Sequence, residues 1–336
     1  MSTPIRILTS EAAWHDIQSR VDRVMGERPY VHVGVDDILQ QGESADVAFI
    51  SREVTGLSTK FEIRPQTQRF YDALLGSADL RWLHVHSAGA DRAVYQTLMA
   101  KGVTVTTSSG ANAKAVAHSA LAGILSLARK FPHLMRQQQS HQWQSLIGEN
   151  GQPDLDGQTA VIVGWGGIGQ TIAKVLAALE VNVIVVRRQE QPVEGGHRVV
   201  SMSRLPSVLR EADWLVLACP LTNETHELIN RQALLALKPG AHVINIARGA
   251  VIEEAALIDA LRSGQVGGAY LDVFAQEPLP TDSPLWDMPN VIATPHSAGH
   301  SQGMYQRMAQ MFIDNLTRFI AGEPLQQVAN ERVASR

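Results

Sequence analysis

The sequence predicts an α/β fold built as two doubly wound parallel-sheet domains. Three observations carry that reading. Short apolar runs alternate with amphipathic stretches along the chain, the pattern of successive βαβ units. A glycine-rich segment lies between one such run and a helical stretch. The 336 residues are enough for two hydrophobic cores.

In the first half, 5–8, 31–35, 47–50, 82–85 and 103–106 read as strands, with helical patterns over 11–24 and 67–75. An Ala- and Leu-rich helix is predicted over 113–130. The polar stretch 137–151, which contains Trp143, reads as an exposed arm. The second half predicts strands at 160–163, 181–186, 214–218, 242–246, 268–272 and 290–293. Helical links fall at 170–179, 203–210, 230–236 and 253–263, punctuated by Pro239-Gly240, Gly249, Gly264 and Pro289-Asn290. A last helix over 301–321 is expected to cross back to the first domain. The expected division is therefore 1–108 plus 299–336 for one domain and 109–298 for the other.

Residues 159–169 read Thr-Ala-Val-Ile-Val-Gly-Trp-Gly-Gly-Ile-Gly, placing Gly164, Gly166 and Gly169 in G-x-G-x-x-G spacing. Strand, glycine turn, helix and second strand follow in the order of a dinucleotide-binding βαβ unit. Gly164 permits the tight turn, Gly166 lets the backbone approach a pyrophosphate, and Gly169 lets helix and strand pack closely. Gly167 and Ile168 lie at the helix start, where free N–H groups and the helix dipole hold phosphate.

The end of the next strand selects the cofactor. Enzymes that take NAD usually place an acid there for the ribose hydroxyls. This chain has Arg187 and Arg188, with Glu190 slightly later. A guanidinium pairs bidentately with a 2′-phosphate that a carboxylate would repel, so NADP(H) is expected over NAD(H). The plainer alternative is a solvated basic strand end.

A net charge of −4, with no basic run of five or more, gives no electrostatic case for nucleic acid or an anionic membrane. No apolar stretch approaches the roughly 20 residues that span a bilayer. No secretory signal pattern is read at 1–10, so a cytoplasmic protein is expected. The lone Cys219 reads as a buried strand end rather than a catalytic thiol, and no metal site is expected.

Three strand ends in the second half could carry chemistry. Arg248 follows one strand in Ile244-Asn-Ile-Ala-Arg-Gly249, where an arginine can clamp a carboxylate and polarise a carbonyl. Alone it reads more readily as a surface or structural arginine. Asp272 ends the next strand, with Glu277 in the loop beyond, and His296 ends the last. A histidine and an acid at the carboxyl edge of one sheet form a candidate acid–base pair, the acid raising the imidazole pKa.

These blocks, in this order, resemble the D-2-hydroxyacid dehydrogenase family. The resemblance spans about 80–300 and is dense from 155 onward. It rests on the glycine motif, Cys219-Pro-Leu-Thr-Asn-Glu-Thr225, Leu237-Lys-Pro-Gly-Ala241, Asn245-Ile-Ala-Arg-Gly249, Leu271-Asp-Val-Phe-Ala-Gln-Glu-Pro278 and Thr294-Pro-His-Ser-Ala-Gly299. It implies a Rossmann cofactor domain and a flavodoxin-like substrate domain. It also implies that Arg248 binds the substrate carboxylate and carbonyl, that His296 is the proton donor and that Glu277 sets its pKa. Asp272 is implied to hold the nicotinamide carboxamide, and Pro220, Thr225 and Ala247 to line the cofactor channel. Ala88 and Gly89, in His86-Ser-Ala-Gly-Ala-Asp91, are implied to grip the substrate carboxylate through backbone N–H groups.

The family further implies a homodimer with a crossing arm at 113–152, and Trp143 near the partner's site. His118 stands where many relatives carry Glu and has no assigned role. The expected activity is NADPH-dependent reduction of glyoxylate or hydroxypyruvate to D-2-hydroxy acids. Phosphoglycerate dehydrogenation, phosphite oxidation, a bulkier oxo-acid substrate and a nucleotide-sensing corepressor remain alternatives. The acid at Glu277 argues against formate oxidation. Substrate size is expected to depend on residues around Phe49, Ile50, Ser51, Trp286 and Met288.

Overall fold

The computed structural model describes residues 3–56, 58, 62–147 and 151–329. They form two compact units. One comprises the described residues up to Ala111 and those from Ser301 onward; the other lies within Asn112–His300.

The first unit alternates strand and helix: β1 (Ile5–Leu8), α1 (Glu11–Met25), β2 (Tyr30–Val33), α2 (Val35–Gln41), β3 (Val47–Ile50), α3 (Arg52–Thr55), α4 (Pro65–Gly76), β4 (Trp82–Val85), α5 (Ala93–Ala100) and β5 (Thr104–Thr107). The strands make one parallel sheet in the order β2-β1-β3-β4-β5. Side chains alternate across it. Leu8, Ile50, Leu83 and Val85 pack with Ile38, Phe70, Leu74 and Leu98 of α2, α4 and α5. Ile7, Val47, Phe49 and Trp82 pack on the other face with Ile17 and Val21 of α1 and with Phe312 and Leu316 of the final helix. Phe312 stacks on both Phe49 and Trp82, with ring centroids 5.0 and 5.2 Å apart. The strand expected to run to Val35 stops at Val33. The Asp37 carboxylate accepts the Gly34 N–H at 2.7 Å and starts α2 there, a short helix that periodicity alone did not mark.

The second unit begins with α6 (Ala113–Ala128) and α7 (Phe131–Gln139). The helix expected through Lys130 breaks because Lys130 itself is left-handed, φ 52°. Then come β6 (Thr159–Val163), α8 (Gly167–Ala178), β7 (Asn182–Arg187), β8 (Arg198–Ser201), α9 (Leu205–Leu209), β9 (Trp214–Leu217), α10 (Arg231–Ala236), β10 (Ala241–Asn245), α11 (Glu254–Ser263), β11 (Val266–Leu271) and β12 (Val291–Ala293). The helix α12 (Met304–Ala321) belongs to the first unit.

The seven strands are parallel in the order β12-β11-β10-β9-β6-β7-β8. Helices cover both faces. Val161 and Val163 pack toward Leu205, Leu234 and Leu257, while Ala160 and Ile162 pack toward Val116, Ile124, Ile172 and Leu176. Strand order reverses between β6 and β9, and such a switch point opens a ligand crevice at the carboxyl ends of the strands. The edge strand β8 is too short to have announced itself. Among the described residues, no helix is long and apolar enough to cross a membrane.

Candidate active site at the carboxyl edge of the second sheet

The glycine loop leaves β6 at the switch point. Gly164 has φ 108°, and a side chain there would meet the Ala218 carbonyl oxygen at 2.5 Å, so only glycine lets the loops after β6 and β9 lie this close. A Cβ at Gly166 would enter open space, and Gly166 is the N-cap of α8. Gly167 and Ile168 open that helix. This is an uncovered helix N-terminus of the kind that accepts a pyrophosphate, so the residues present fit a dinucleotide.

Arg187 is the last residue of β7 and sits opposite Ser201 of β8. Its guanidinium has no hydrogen-bond or ion-pair partner among the described residues. Arg188 reaches Glu224 at 3.4 Å. The nearby acid, Glu190, is already engaged, accepting the Ser201 N–H at 2.8 Å and pairing with Arg204 at 3.5 Å. Pro220 and Thr225 bound the loop after β9. The Thr225 hydroxyl donates to the Pro220 carbonyl at 2.7 Å and accepts the Thr222 N–H at 2.7 Å, so it shapes that loop from within. Cys219 is buried, and burial pushes its thiol up to about 11, which leaves it protonated and unreactive.

Arg248, Asp272 and His296 follow β10, β11 and β12, three adjacent parallel strands, and so emerge at the same edge. Each is held by local bonds. Asn245, buried at the end of β10, donates from Nδ2 to the Arg248 carbonyl at 3.1 Å and accepts the Ala247 N–H on Oδ1 at 3.1 Å. Gly249 then passes the next loop so closely that a Cβ would lie 1.9 Å from the Phe274 carbonyl, which brings the arginine turn against the loop carrying Glu277. The Arg248 Nη1 donates to the Ala247 carbonyl at 2.7 Å.

Asp272 is buried and organises the last loop. Its Oδ1 accepts the Thr294 hydroxyl at 2.7 Å and the N–H groups of Ser297 and Ala298 at 2.9 and 3.0 Å. The His296 N–H donates to the Asp272 carbonyl at 2.9 Å, and His296 adopts φ 48°, a conformation rare outside glycine. That turn delivers its ring to Glu277: Nδ1 lies 2.7 Å from Oε2. The other carboxylate oxygen accepts the Phe274 N–H at 3.1 Å. With Nδ1–H donated to the acid, Nε2 has no partner among the described residues.

The electrostatics follow. The hydrogen bond that His296 donates to Glu277, helped by the charge of the acid, raises the His296 pKa above the usual imidazole value, against burial and the positive charge of Arg248. Burial pushes the Glu277 carboxyl upward, but the bonds from His296 and the Phe274 N–H, with the charges of His296 and Arg248, leave it below its usual value. An acid held ionised beside an imidazole held protonated is the arrangement of a general acid that works near neutral pH.

Other expected residues are carried by other elements. Trp143 is 97% exposed, and His118 is exposed on α6. Ala88 and Gly89 are exposed in the loop after β4, in the first unit. Phe49, Ile50 and Ser51 are buried, Phe49 within the core against Phe312. Trp286 is half exposed and donates from Nε1 to the Pro280 carbonyl, whereas Met288 packs on the core.

A parallel seven-stranded domain with a glycine cradle, and with arginine, acid and histidine on one edge, defines a nucleotide-dependent oxidoreductase. Residues 121–298 match the family model described as D-isomer specific 2-hydroxyacid dehydrogenase, NAD binding domain. The chain is 34% identical over 264 residues to glyoxylate/hydroxypyruvate reductase B of Pectobacterium carotovorum subsp. carotovorum (strain PC1), covering 78% of this chain and 82% of that one. A D-isomer specific 2-hydroxyacid dehydrogenase family protein from Aeromonas salmonicida aligns with TM-score 0.76 and 31% identity over 98% of this chain and 99% of its own. A D-isomer specific 2-hydroxyacid dehydrogenase from Xanthobacter autotrophicus, solved with NADPH and MES, aligns with TM-score 0.73 and 27% identity over 98% and 99%. The chain belongs to the D-isomer specific 2-hydroxyacid dehydrogenase family, oxidoreductases acting on CH–OH groups, and carries its NAD(P)-binding domain.

Proposed function

We propose that this enzyme reduces short 2-oxo acids, glyoxylate and hydroxypyruvate, to the corresponding 2-hydroxy acids with NADPH, giving the D isomer where the product is chiral. The observation that carries the proposal is the His296–Glu277 pair beside Arg248, with an Nε2 that has no partner among the described residues. Bound nicotinamide supplies the hydride. His296 holds the proton at Nε2 and gives it to the carbonyl oxygen, while Glu277 keeps the ring charged and oriented. Arg248 binds the substrate carboxylate and steadies charge growing on the carbonyl oxygen. The backbone N–H groups of Ala88 and Gly89 are assigned to the substrate carboxylate.

The pyrophosphate is assigned to Gly164, Gly166, Gly167, Ile168 and Gly169, and the nicotinamide carboxamide to Asp272. Pro220, Thr225 and Ala247 are assigned to the channel wall. Arg187 and Arg188 are assigned to the 2′-phosphate. In support, the Arg187 guanidinium has no hydrogen-bond or ion-pair partner among the described residues, and Glu190 is bound to the Ser201 N–H and to Arg204. The reductase name of the Pectobacterium relative and the NADPH held by the Xanthobacter structure point the same way. We extend the proposal to a cytoplasmic homodimer whose arm, 113–152, carries Trp143 toward the partner.

Initial rates with glyoxylate and hydroxypyruvate, each with NADPH and NADH, test this reading. The expected result is at least about tenfold higher kcat/KM for NADPH, collapsing in an Arg187→Asp, Arg188→Asp double variant. Equal use of both cofactors would remove the assignment of the two arginines. No oxidation of NADPH with any short oxo acid would remove the substrate class.

A further inference from the structure

A chain of polar groups crosses the core of the first unit, and its hydrogens can be assigned by counting. The indole Nε1–H of Trp82 donates to the Thr106 hydroxyl oxygen at 2.8 Å. That hydroxyl also lies 2.7 Å from Nδ1 of His84. Nε2 of His84 lies 3.0 Å from the Ser108 hydroxyl, which donates to the Val85 carbonyl at 3.0 Å. Indole can only donate, and the Thr106 hydrogen has no other acceptor among the described residues, so it points at Nδ1. The Ser108 hydrogen is committed to Val85, so the remaining hydrogen must sit on Nε2. One neutral tautomer satisfies every group: Trp82 to Thr106 to His84 to Ser108 to Val85. His84 is fully buried, and burial holds its pKa down at about 3, with a smaller push from His86, so the ring stays neutral.

The far end of this chain is the stem of the loop that carries Ala88 and Gly89. The Ser108 N–H donates to both the Val85 and the Ser87 carbonyls at 3.0 Å. On the other side of the stem, Nε2 of His86 lies 2.9 Å from the Thr55 hydroxyl, and the His86 N–H donates to the Ile50 carbonyl. We propose that His84, as the Nε2–H tautomer, is a positioning residue that sets the 86–90 loop through Ser108. This rests on the reading above that Ala88 and Gly89 hold the substrate carboxylate.

Two substitutions separate this directed role from simple packing. In His84→Gln the side-chain amide can reach the Nε2 position and keep a donor to Ser108. In His84→Asn the amide can serve Thr106 but falls short of Ser108. Both lose core volume and both are expected to lower Tm. The directed role predicts that the KM for glyoxylate stays within about twofold of wild type in H84Q and rises on the order of tenfold in H84N, with kcat and the Kd for NADPH little changed.

Hydrogen exchange of the 86–90 peptide, read on the full chain without substrate, is expected to speed up in H84N and in Ser108→Ala but not in H84Q. A long-range nitrogen–proton correlation spectrum of the wild type is expected to show the Nε2–H pattern for His84. Equal KM and exchange effects in H84Q and H84N, or an Nδ1–H pattern, would overturn the proposal. Should the wild type fail to reduce glyoxylate, the exchange and tautomer results still decide it.

Discussion

Two histidines near the carboxyl ends of parallel strands, one in each unit, have opposite characters. His296 is half exposed, and its partner is an ionised acid that raises its pKa. His84 is fully buried, and its partners are two uncharged hydroxyls that bring no charge to hold a proton on the ring. The side chain is the same; solvent and the charge of the partner decide whether it carries a proton or routes hydrogen bonds. The difference extends to backbone. His296 is presented by a left-handed turn that Asp272 pins from beneath, whereas His84 lies within β4 with both neighbours in the core. The ring poised for proton transfer sits where a strand ends and a loop re-aims the side chain. Within the strand, the same residue becomes part of the scaffold.

The largest expected effect breaks the first half of this comparison. His296→Ala should lower kcat for oxo-acid reduction by about 10²–10⁴-fold, with NADPH binding near normal by fluorescence titration. Retained turnover would mean that the proton comes from elsewhere. Arg248→Ala should cost about 10²-fold in kcat/KM, felt chiefly in oxo-acid binding.

Smaller effects sharpen the comparison. Asn245→Ala should lower kcat/KM by about tenfold by releasing the arginine turn. It should also destabilise the fold by about 1–3 kcal/mol, because the Ala247 N–H and the Arg248 carbonyl lose their partner, measurable by urea denaturation. The smallest effect is expected at Cys219: iodoacetamide should modify the native enzyme only on unfolding, with activity unchanged meanwhile.

The pair's contribution to stability has a pH window. His296, with a raised folded pKa, stabilises below its unfolded value and loses that contribution as pH rises through the folded pKa. Glu277, with a lowered one, stabilises above its unfolded value and loses that contribution as pH falls through the folded pKa. Both contributions are whole between roughly pH 4.3 and 6.5, and solvent exposure of the pair keeps them modest.

The sequence made some features legible and hid others, for physical reasons. The glycine motif and the strand ends bearing Arg248, Asp272 and His296 stood out because apolar runs mark strands and the residue after each run is conspicuous. The α2 start, the break at Lys130 and β8 did not, because they depend on a single cap, one left-handed residue and a four-residue edge strand. Asn245, Thr294 and His84 were silent for another reason. Their roles are hydrogen bonds to backbone, to a carboxylate and to hydroxyls, which leave no periodicity behind. Thr225 was conspicuous, yet its hydroxyl is used within its own loop.

The most direct test of the acid–base account is the pH dependence of kcat/KM for glyoxylate reduction in the wild type and in Glu277→Gln. A protonated imidazole is required, so the rate should fall as pH rises through a His296 pKa above the usual imidazole value, and in Glu277→Gln that fall should move to lower pH. A descending limb that stays in place when the carboxylate is removed would contradict the pairing of His296 with Glu277 as the source of the proton.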